Sequence, residues 1–452
     1  MAEYKVGKTI WEEAREIKVV AEADVIVVGG GPGGHSAAVA AARSGADTLL
    51  IERYGHLGGM ATGGIVIQIP HLSDGGREPL VGGLCLEWLD RLEAIGGSLH
   101  PRKEEVGSDD PETLRRWRRY WGNVRKGRVV LTAWVDPELL KCVLNDMVEE
   151  SGVRLLLHSW ATEVVLEGER VKGVILESKS GRCAVLGKVI IDGTGDGDVL
   201  VWAKAEYDDT LDPSSRSSTL ALVFRLGNCN YERLCEFREN NREEFQRLLG
   251  ELHKAAGVRL LPLPSHRNDV MWINNWIPGL SCLKAEDLTA LEVKMRKVML
   301  TAHRFLRERM PGFEESFIMD TACQVGTRGS RRLIGEYVVR QEDILSGKTY
   351  PDTIAIFPIP VGPEEDAEVK YASIPLRALV PRKVDGLLVA GRSFSSDPAA
   401  NDMANLIPHC IAMGQAAGIA AALALEENVD VRMVPYRKVQ ERLIASGAKL
   451  SL

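Results

Sequence analysis

The sequence has no continuous run of 18 apolar residues, and charged side chains are scattered through its first twenty positions. A membrane-spanning helix requires such a run, and a secretory signal requires an apolar stretch close to the N-terminus. We therefore expect a cytoplasmic protein with no membrane contact.

Paired cysteines and an excess of positive charge are also missing. The eight cysteines include no C-x-x-C pair, which excludes the common zinc-ribbon, iron–sulfur and dithiol motifs, so we expect reduced thiols and no metal site. Lysine plus arginine total 56 against 63 aspartate plus glutamate, a net charge of -7. Because no bulk positive charge attracts a phosphate backbone, we expect no nucleic-acid partner.

The chain combines an ordinary globular composition with an uneven distribution of glycine. Its 452 residues are 45% hydrophobic and 26% charged, which excludes disordered and fibrous classes and, at about 150 residues per domain, suggests two or three compact units. The 44 glycines cluster in a few places instead of marking loops evenly.

The first glycine cluster lies between two short apolar segments. Asp24 to Val28 and Thr48 to Ile51 have the pattern of buried parallel strands, and an alanine-rich helix lies between them. Glu52 follows the second strand, where a carboxylate accepts hydrogen bonds from ribose hydroxyls. These features predict a βαβ unit that binds a dinucleotide with its pyrophosphate at the helix N-terminus. The glycines of the G-x-G-x-x-G pattern are Gly29, Gly31 and Gly34.

A second glycine-rich stretch follows directly, from Arg53 to Gly64. A nicotinamide cofactor does not need it, whereas the longer FAD does as it passes over the sheet. At this point the chain resembles the FAD-dependent oxidoreductase family of the glutathione-reductase-like superfamily, whose motif is similar to E-x-Y-G-x-L-G-G-x-A-T. The matching residues are Glu52, Tyr54, Gly55, Leu57, Gly58, Gly59, Ala61 and Thr62.

Alternating segments from Val153 to Asp192 predict a β-meander. It ends in the sequence DGTGDGD, from Asp192 to Asp198, and the resemblance implies that this loop flanks the dinucleotide. An EF-hand calcium loop is the alternative, but its twelfth position would be Ala203 in place of the required carboxylate.

The last glycine cluster begins after a third apolar strand, Leu387 to Ala390, with Gly391 and Arg392. A long helix follows, with Pro408 suited to its first turn and small residues that permit close approach of another backbone. The family resemblance is closest here, and it implies that this helix begins at the flavin pyrimidine edge. Its N-terminus would stabilise negative charge on the reduced ring.

The predicted fold is α/β: a discontinuous Rossmann-like FAD-binding domain with a β-meander, plus an inserted α+β cap that holds the substrate. The FAD-binding domain comprises residues 23–66, 129–204 and 355–430. The cap comprises 67–128 and 205–354, between an N-terminal extension, 1–22, and a C-terminal tail, 431–452. The residues expected to bind FAD are Gly29, Gly31, Pro32, Gly33, Gly34, Glu52, Arg53, Gly58, Gly59, Met60, Ala61, Thr62, Ala161, Thr194, Gly195, Asp196, Gly391, Arg392, Asn405 and Ile407.

The candidates for proton transfer are histidines, because imidazole titrates near neutral pH. His409 lies in the first turn of the last helix, where it faces the active site or is a buried, hydrogen-bonded residue. His56 lies in the second glycine stretch, where it is catalytic, a site of covalent FAD attachment or a solvated loop residue.

An arginine-rich motif supplies the third candidate. The resemblance extends to G-x-R-x-x-R-R-x-x-G-E-Y, where Arg328 could clamp a carboxylate and Arg331 and Arg332 would form ion pairs. Trp272 and Trp276 either line an apolar pocket or belong to the core.

Two absent motifs bear on the reaction. A second G-x-G-x-x-G, expected in a pyridine-nucleotide reductase, does not occur, and Gly391 and Arg392 replace the G-D pair of aromatic hydroxylases. Both absences favour an FAD-dependent oxidoreductase that passes hydride from an alcohol, amine, hydroxy acid or amino acid to flavin N5. The alternatives are a reductase of an activated double bond and an electron-relay subunit of a complex. We expect a small-molecule substrate, an unidentified electron acceptor and, as an option, self-association.

Overall fold

The structure, a computed structural model, describes residues 9–213, 215–361 and 368–451. Its strands are β1 (Val19–Val28), β2 (Thr48–Ile51), β3 (Gln68–Ile69), β4 (Ser98–Leu99), β5 (Val124–Arg125), β6 (Arg128–Val129), β7 (Ala133–Val135), β8 (Arg154–Leu156), β9 (Ser159–Glu167), β10 (Arg170–Ser178), β11 (Gly181–Asp192), β12 (Tyr207–Asp208), β13 (Thr219–Ala221), β14 (Phe224–Gly227), β15 (Leu260–Leu263), β16 (Val270–Asn275), β17 (Ile277–Pro278), β18 (Phe317–Thr321), β19 (Gly326–Thr327), β20 (Arg332–Leu333), β21 (Thr353–Val361), β22 (Glu368–Pro375) and β23 (Leu387–Val389). Its α-helices are α1 (Pro32–Arg43), α2 (Leu84–Ala94), α3 (Pro111–Arg118), α4 (Pro137–Glu150), α5 (Asp198–Trp202), α6 (Tyr231–Asn240), α7 (Arg242–Ala256), α8 (Ala285–Arg309), α9 (Gln341–Leu345), α10 (Pro398–Ala404), α11 (Ile407–Glu426) and α12 (Tyr436–Ala445). Short 3-10 helices lie at Gly59–Ala61, Arg216–Ser218, Leu376–Leu379 and Val431–Met433.

A seven-stranded sheet forms the centre of the molecule, in the order β8-β2-β1-β11-β10-β9, with β23 paired to the C-terminal end of β11. Strands β8, β2, β1, β11 and β23 run parallel, whereas β9, β10 and β11 form an antiparallel meander. The predicted βαβ unit, meander and third strand are confirmed. One difference is that Arg154–Leu156 pairs with β2 and not with the meander, because the chain turns at His158, whose φ is +53°.

The two faces of β1 explain why its sequence is apolar at every position from 25 to 28. Val25 and Val27 face the core that contains α1 and α11, whereas Ile26 and Val28 face a second core under the meander. A strand buried on both faces requires a continuous apolar run. The sheet is therefore covered on both sides, which confirms the predicted α/β class.

Helices α1 and α11 pack closely because α11 carries glycine at their contact. A Cβ atom at Gly414 would lie 2.0 Å from the Gly33 carbonyl oxygen, and one at Gly418 would lie 2.2 Å from that of Ala37. Helix α11 is also long and apolar enough by composition to cross a membrane, but 94% of its 18-residue apolar stretch is buried inside the molecule. It is the central core helix of this fold.

Small antiparallel sheets make up much of the remainder. The four-stranded sheet has the order β15-β16-β14-β18, and three-stranded sheets have the orders β17-β13-β19 and β3-β7-β4. Helix α7 packs against β15 of the four-stranded sheet and against α8. Strand β19 of the sheet β17-β13-β19 leads directly into Arg328.

Three elements cross the segment boundaries expected from the sequence. Strand β1 begins at Val19, inside the expected N-terminal extension. Strand β7 pairs with β3 and β4, so the first cap segment continues past residue 128 to Val135. The expected C-terminal tail folds as α12, whose Val439 and Leu443 are buried and whose Gln440 donates hydrogen bonds to the carbonyls of Pro351 and Thr353.

Candidate functional site

A cavity of about 610 Å³ opens at the carboxyl ends of the parallel strands. Its walls include the residues that directly follow β1, β2, β11 and β23, namely Gly29, Glu52, Gly193 and Ala390. Parallel α/β sheets bind their ligands in this crevice, and the volume is within the usual range for a small-molecule site.

The loop between β1 and α1 forms an anion-binding cradle at one side of the cavity. Gly29 has φ +94°, and a Cβ there would lie 2.5 Å from the Gly193 carbonyl oxygen. At Gly34 a Cβ would lie 1.8 Å from the Gly29 carbonyl oxygen, so this glycine serves helix packing and does not line the cavity. Gly31 differs, because the nearest atom to its Cβ position is 4.0 Å away and the space in front of it is open.

The N-terminus of α1 is left free for a ligand. Its N-cap Gly31 provides no side-chain cap, and no acidic residue lies in its first turn. The first amides of a helix have no partner within the helix, and they carry a partial positive charge. The cradle therefore suits a phosphate or pyrophosphate group, as the G-x-G-x-x-G pattern predicts.

Glu52 lies at the end of β2 and on the cavity wall. Its carboxylate accepts hydrogen bonds from the amides of Gly30, at 2.6 Å, and Tyr54, at 2.8 Å. Burial raises the pKa of Glu52, and these two amides oppose that rise. The side chain is thus fixed in place with acceptor capacity left for a ligand hydroxyl.

The second glycine stretch packs against the cradle. Gly59 lies against Gly31, so that a Cβ at Gly59 would approach the Gly31 Cα to 2.9 Å. Gly59 and Met60 line the cavity, together with Pro32, Gly33, Arg53 and Ala161 of the expected set. Gly58, Ala61 and Thr62 lie behind this wall: the Thr62 hydroxyl donates to the Leu57 carbonyl and holds the loop closed.

The loop after β11 brings a buried ion pair to the cavity. Asp196 and Arg392 are joined by a 2.8 Å contact between Oδ1 and Nη2, and Ser330 donates to the same oxygen. Burial alone would raise the pKa of Asp196, but the Arg392 guanidinium and the Ser330 hydroxyl lower it below its ordinary value. Thr194, Gly195 and Gly391 line the cavity beside this pair.

The other two carboxylates of this loop are also engaged. Asp192 is fully buried and accepts hydrogen bonds from Thr194 and from the Leu200 amide. Asp198 pairs with Arg331 at 2.9 Å. Among the described residues, no group of three histidine, cysteine or acidic side chains is arranged to hold a metal ion.

The N-terminus of α11 reaches the same cavity, where Asn405, Ile407 and Cys410 line the wall. His409 does not join them. Its ring is fully buried and lies 4.1 Å, centre to centre, from the Phe357 ring, while its Nδ1 accepts a hydrogen bond from the Leu406 amide. At the third position of helix α11 the side chain turns into the core, so the structure favours the buried alternative over the catalytic one.

His56 also lies off the cavity wall, although it touches residues that form it. Its ring stacks on Tyr54, and its Nε2 lies 3.4 Å from the sulfur of Cys323. Tyr54 and Cys323 line the cavity, whereas His56 does not. Burial lowers the pKa of His56. The ring therefore supports the wall and is neither a solvated loop residue nor a wall residue.

Arg328 is the catalytic candidate that the structure places on the cavity wall. Its neighbours in the motif serve ion pairs, as expected: Arg331 pairs with Asp198, and the buried Arg332 pairs with Asp208 at 2.7 Å. Trp272 fits both of its alternatives, since it is buried on strand β16 and also lines the cavity.

His71, which was not among the candidates predicted from the sequence, also lines the cavity. His71 follows the short strand β3 and has φ +58°, a conformation that few residues other than glycine adopt. Its backbone amide donates a hydrogen bond to the Thr132 hydroxyl oxygen at 3.1 Å. The one sequence signal was a histidine directly after proline in the otherwise apolar segment VIQIPHL.

The donor set of this cavity fits FAD. The open position at Gly31 and the free N-terminus of α1 suit its pyrophosphate, and Glu52 suits a ribose. The N-terminus of α11, with Asn405 and Ile407, would lie against its isoalloxazine ring. The remaining wall, with Trp272 and His71, leaves room for a substrate beside the cofactor.

Comparison with known proteins identifies the family of this chain. The sequence pattern of the family described as FAD dependent oxidoreductase matches residues 24–443. The tRNA uridine 5-carboxymethylaminomethyl modification enzyme MnmG of Geobacter sulfurreducens is 32% identical over 175 residues, which span 38% of this chain and 24% of that enzyme.

Two solved structures illustrate the similarity. One is p-nitrophenol 4-monooxygenase PnpA from Pseudomonas putida DLL-E4, with 10% identity and a TM-score of 0.49 over 94% of this chain and 86% of that one. The other is a geranylgeranyl bacteriochlorophyll reductase-like protein from Thermoplasma acidophilum, with 16% identity and a TM-score of 0.44 over 94% and 83%. Because the family pattern covers nearly the whole chain, the protein belongs to the FAD-dependent oxidoreductase family and is an enzyme whose cofactor is FAD.

Proposed function

We propose that this enzyme oxidises a small organic donor, an alcohol, amine, hydroxy acid or amino acid, and that oxygen or an external acceptor takes up the electrons. When bound, FAD accepts the hydride that leaves the donor carbon. The observation that carries the proposal is the composition of the wall beside the cofactor site, where Trp272 and Trp276 line the same cavity as His71. Such a wall positions a C–H bond and removes a proton.

The apolar part of this wall holds the donor and excludes water. Trp272 is 2% exposed and packs edge-on against Trp134, with ring centres 6.2 Å apart. Trp276 and Val223 line the cavity next to it. These rigid side chains would fix the orientation of a small carbon skeleton.

The polar part of the wall accepts the proton that the donor releases. Burial, together with the positive charge of Arg125 and Arg216, lowers the pKa of His71 to about 3. The imidazole is therefore neutral at physiological pH and has a lone pair to accept the proton of a donor hydroxyl group, which becomes strongly acidic as the hydride leaves; an amine donor would react as its free base. Its left-handed backbone conformation is the kind of local strain that occurs at functional sites.

Anaerobic reduction of the bound cofactor tests the direction of the reaction. The holoenzyme is mixed with a panel of alcohols, amines, hydroxy acids and amino acids and, separately, with NADH and NADPH, and its absorbance near about 450 nm is followed. We expect bleaching by at least one organic donor and slow or no bleaching by either nicotinamide. Rapid bleaching by a nicotinamide without response to any donor would overturn the proposal and favour the reduction of an activated double bond.

A further inference from the structure

The surroundings of Arg328 leave its charge incompletely neutralised. Its Nε and Nη2 atoms are buried and have no hydrogen-bond partner among the described residues. The closest carboxylate oxygen, Oδ1 of Asp402, is 3.8 Å from Nη2, beyond hydrogen-bonding distance. That oxygen is itself buried without a hydrogen bond. A buried guanidinium in this state is costly unless a further anion completes its environment.

Asp402 is shared with a second arginine of the cavity wall. Arg216 donates from Nε to Oδ2 of Asp402 at 3.3 Å and from Nη2 to the Asp402 carbonyl, also at 3.3 Å. Among the described residues, two guanidinium groups thus face one carboxylate, which leaves one positive charge in excess. Arg392 is different, because Asp196 lies at 2.8 Å from it and neutralises it.

The position of Arg328 is fixed by its backbone. The carbonyl of Arg328 accepts a 2.7 Å hydrogen bond from the Asn405 side chain. On one side, Gly326 pairs with Ala221 in the sheet β13-β19, and on the other a Cβ at Gly329 would lie 2.8 Å from Ser217. The side chain, 25% exposed, is therefore held at the cavity wall before any ligand arrives.

Burial and repulsion from Arg216 lower the pKa of Arg328 to about 10. The group remains protonated at neutral pH, so the site keeps its charge. A carboxylate is the complement of an arginine, since its two oxygens match the planar donor geometry of a guanidinium. One excess charge also suits a monoanion.

We propose that Arg328, with Arg216 beside it, binds a carboxylate of the substrate, so that the donor is a hydroxy or amino acid and not a neutral alcohol or amine. This inference rests on the proposed function for the identity of the reacting group. The carboxylate anchors one end of the donor, and the carbon next to it is presented between His71 and the cofactor site. A bound anion also offsets the positive field that depresses proton uptake by His71.

Calorimetric titration of the holoenzyme with benzoate and with benzamide tests the anion site without turnover. The two probes share a ring and differ in charge. We expect benzoate to bind and benzamide to bind at least about tenfold more weakly, as a charge-assisted contact of about 1.5–3 kcal/mol requires. Equal affinity for the two probes would overturn the proposal.

Three variants sharpen this test. Arg328→Gln should weaken benzoate binding by about tenfold or more, whereas Asp402→Asn, which removes the competing carboxylate, should strengthen it. Arg331→Gln is the matched control, because it removes a guanidinium of the same wall whose partner is Asp198. Equal losses in Arg328→Gln and Arg331→Gln would mean a general effect of charge and would contradict a specific site.

The midpoint potential of the flavin separates two placements of Arg328. If Arg328→Gln lowers the potential and leaves the benzoate affinity unchanged, Arg328 faces the cofactor, and the proposal is overturned. Failure of the anion site is also distinct from failure of the proposed function. If neutral alcohols bleach the flavin and the rate does not depend on Arg328, the proposed anion site is wrong but the proposed reaction stands. If benzoate binding depends on Arg328 but no donor bleaches the flavin, the proposed reaction is wrong but the anion site stands.

Discussion

At the scale of single residues, three histidines with strongly lowered pKa values differ in whether they line the cavity. Burial lowers the pKa of His35 to about 4 and the pKa values of His71 and His409 to about 3, so all three rings are neutral at pH 7. His35 meets Trp88 edge-on, and His409 packs on Phe357. Of the three, His71 lines the cavity, where the proposed donor would contact its neutral ring.

The first prediction concerns this histidine. We expect His71→Asn to slow anaerobic reduction of the cofactor by about a hundredfold or more, because general base catalysis typically contributes that much. The flavin content should not change, since His71 lies away from the glycine cradle. His56→Asn is the matched control and should slow reduction only slightly, because its ring lies behind the wall. A larger loss in His56→Asn than in His71→Asn would contradict the assignment.

The structure places Gly29 and Gly31 at the cavity, as the sequence predicts, and leaves His56 and His409 off its wall, for one physical reason. The spacing of Gly29, Gly31 and Gly34 determines a local backbone conformation, so it can be predicted without knowledge of the tertiary structure. The orientation of His409 depends on packing against Phe357, which lies 52 residues before it in the chain. His71 reaches the cavity through the pairing of β3 with β7, a long-range contact without a local motif.

At the scale of elements, the site depends on close contact between backbones. The loop before α1 touches the loop after β11 at Gly29, and α11 touches α1 at Gly414 and Gly418. These contacts hold the two helix N-termini, which would face the two ends of the cofactor, at the same cavity. The closely spaced small residues in α11 predicted this packing from the sequence.

A matched pair of glycine variants separates cofactor binding from folding. Gly31 has φ −67° and open space at its Cβ position, so Gly31→Leu should fold normally but fill the pyrophosphate site. Gly34→Leu should fail to fold, because its Cβ would overlap the Gly29 carbonyl. Circular dichroism and the flavin-to-protein absorbance ratio measure the two properties. A yellow Gly31→Leu protein with unchanged FAD affinity would show that the pyrophosphate is bound elsewhere.

Two further glycines test the packing of helices. Gly250 lies in α7 with no atom within 4 Å of its Cβ position, so Gly250→Ala should raise the free energy of unfolding by about 1 kcal/mol through helix propensity. Gly418→Ala gains the same propensity but places Cβ 2.2 Å from the Ala37 carbonyl oxygen, and we expect a net loss. Urea unfolding of both variants checks the opposite signs, and stabilisation by Gly418→Ala would contradict the close contact.

At the scale of the whole molecule, the cavity is assembled from segments far apart in the chain. The glycine pattern predicted the cradle, and the family resemblance implied that the loop after β11 and the start of α11 lie beside the same cofactor. The wall opposite them comes from β3, β16 and β19, whose small sheets have no signature in the sequence. This is why the cofactor could be inferred from the sequence, whereas the substrate wall could not.

The buried histidines also predict a dependence of overall stability on pH. In the unfolded chain their pKa is about 6.5, so on acidification below that value the unfolded state binds protons that folded His35 and His409 do not. Each ring therefore lowers the free energy of unfolding by up to about 1.4 kcal/mol per pH unit as the pH falls from 6.5 towards 4. Asp192 acts in the opposite direction below pH 6, because burial raises its pKa to about 6.

Comparison with a double variant isolates the histidine contribution. His35→Gln with His409→Asn keeps a hydrogen-bonding group in each position while removing the titration. Urea unfolding between pH 7 and 5 should show a smaller loss of stability on acidification for the variant than for the native chain. Parallel pH profiles for the two proteins would contradict the assigned pKa shifts.

The most direct test of the account is the rate of anaerobic cofactor reduction by a hydroxy or amino acid that carries deuterium at the carbon to be oxidised. If the cavity presents that C–H bond to the cofactor, the deuterated donor will bleach the flavin several-fold more slowly than the protiated one, and Arg328→Gln will raise the donor concentration needed for half-maximal rate. Bleaching at the same rate by both isotopic forms, under conditions where reduction itself is rate-limiting, would contradict the proposed reaction.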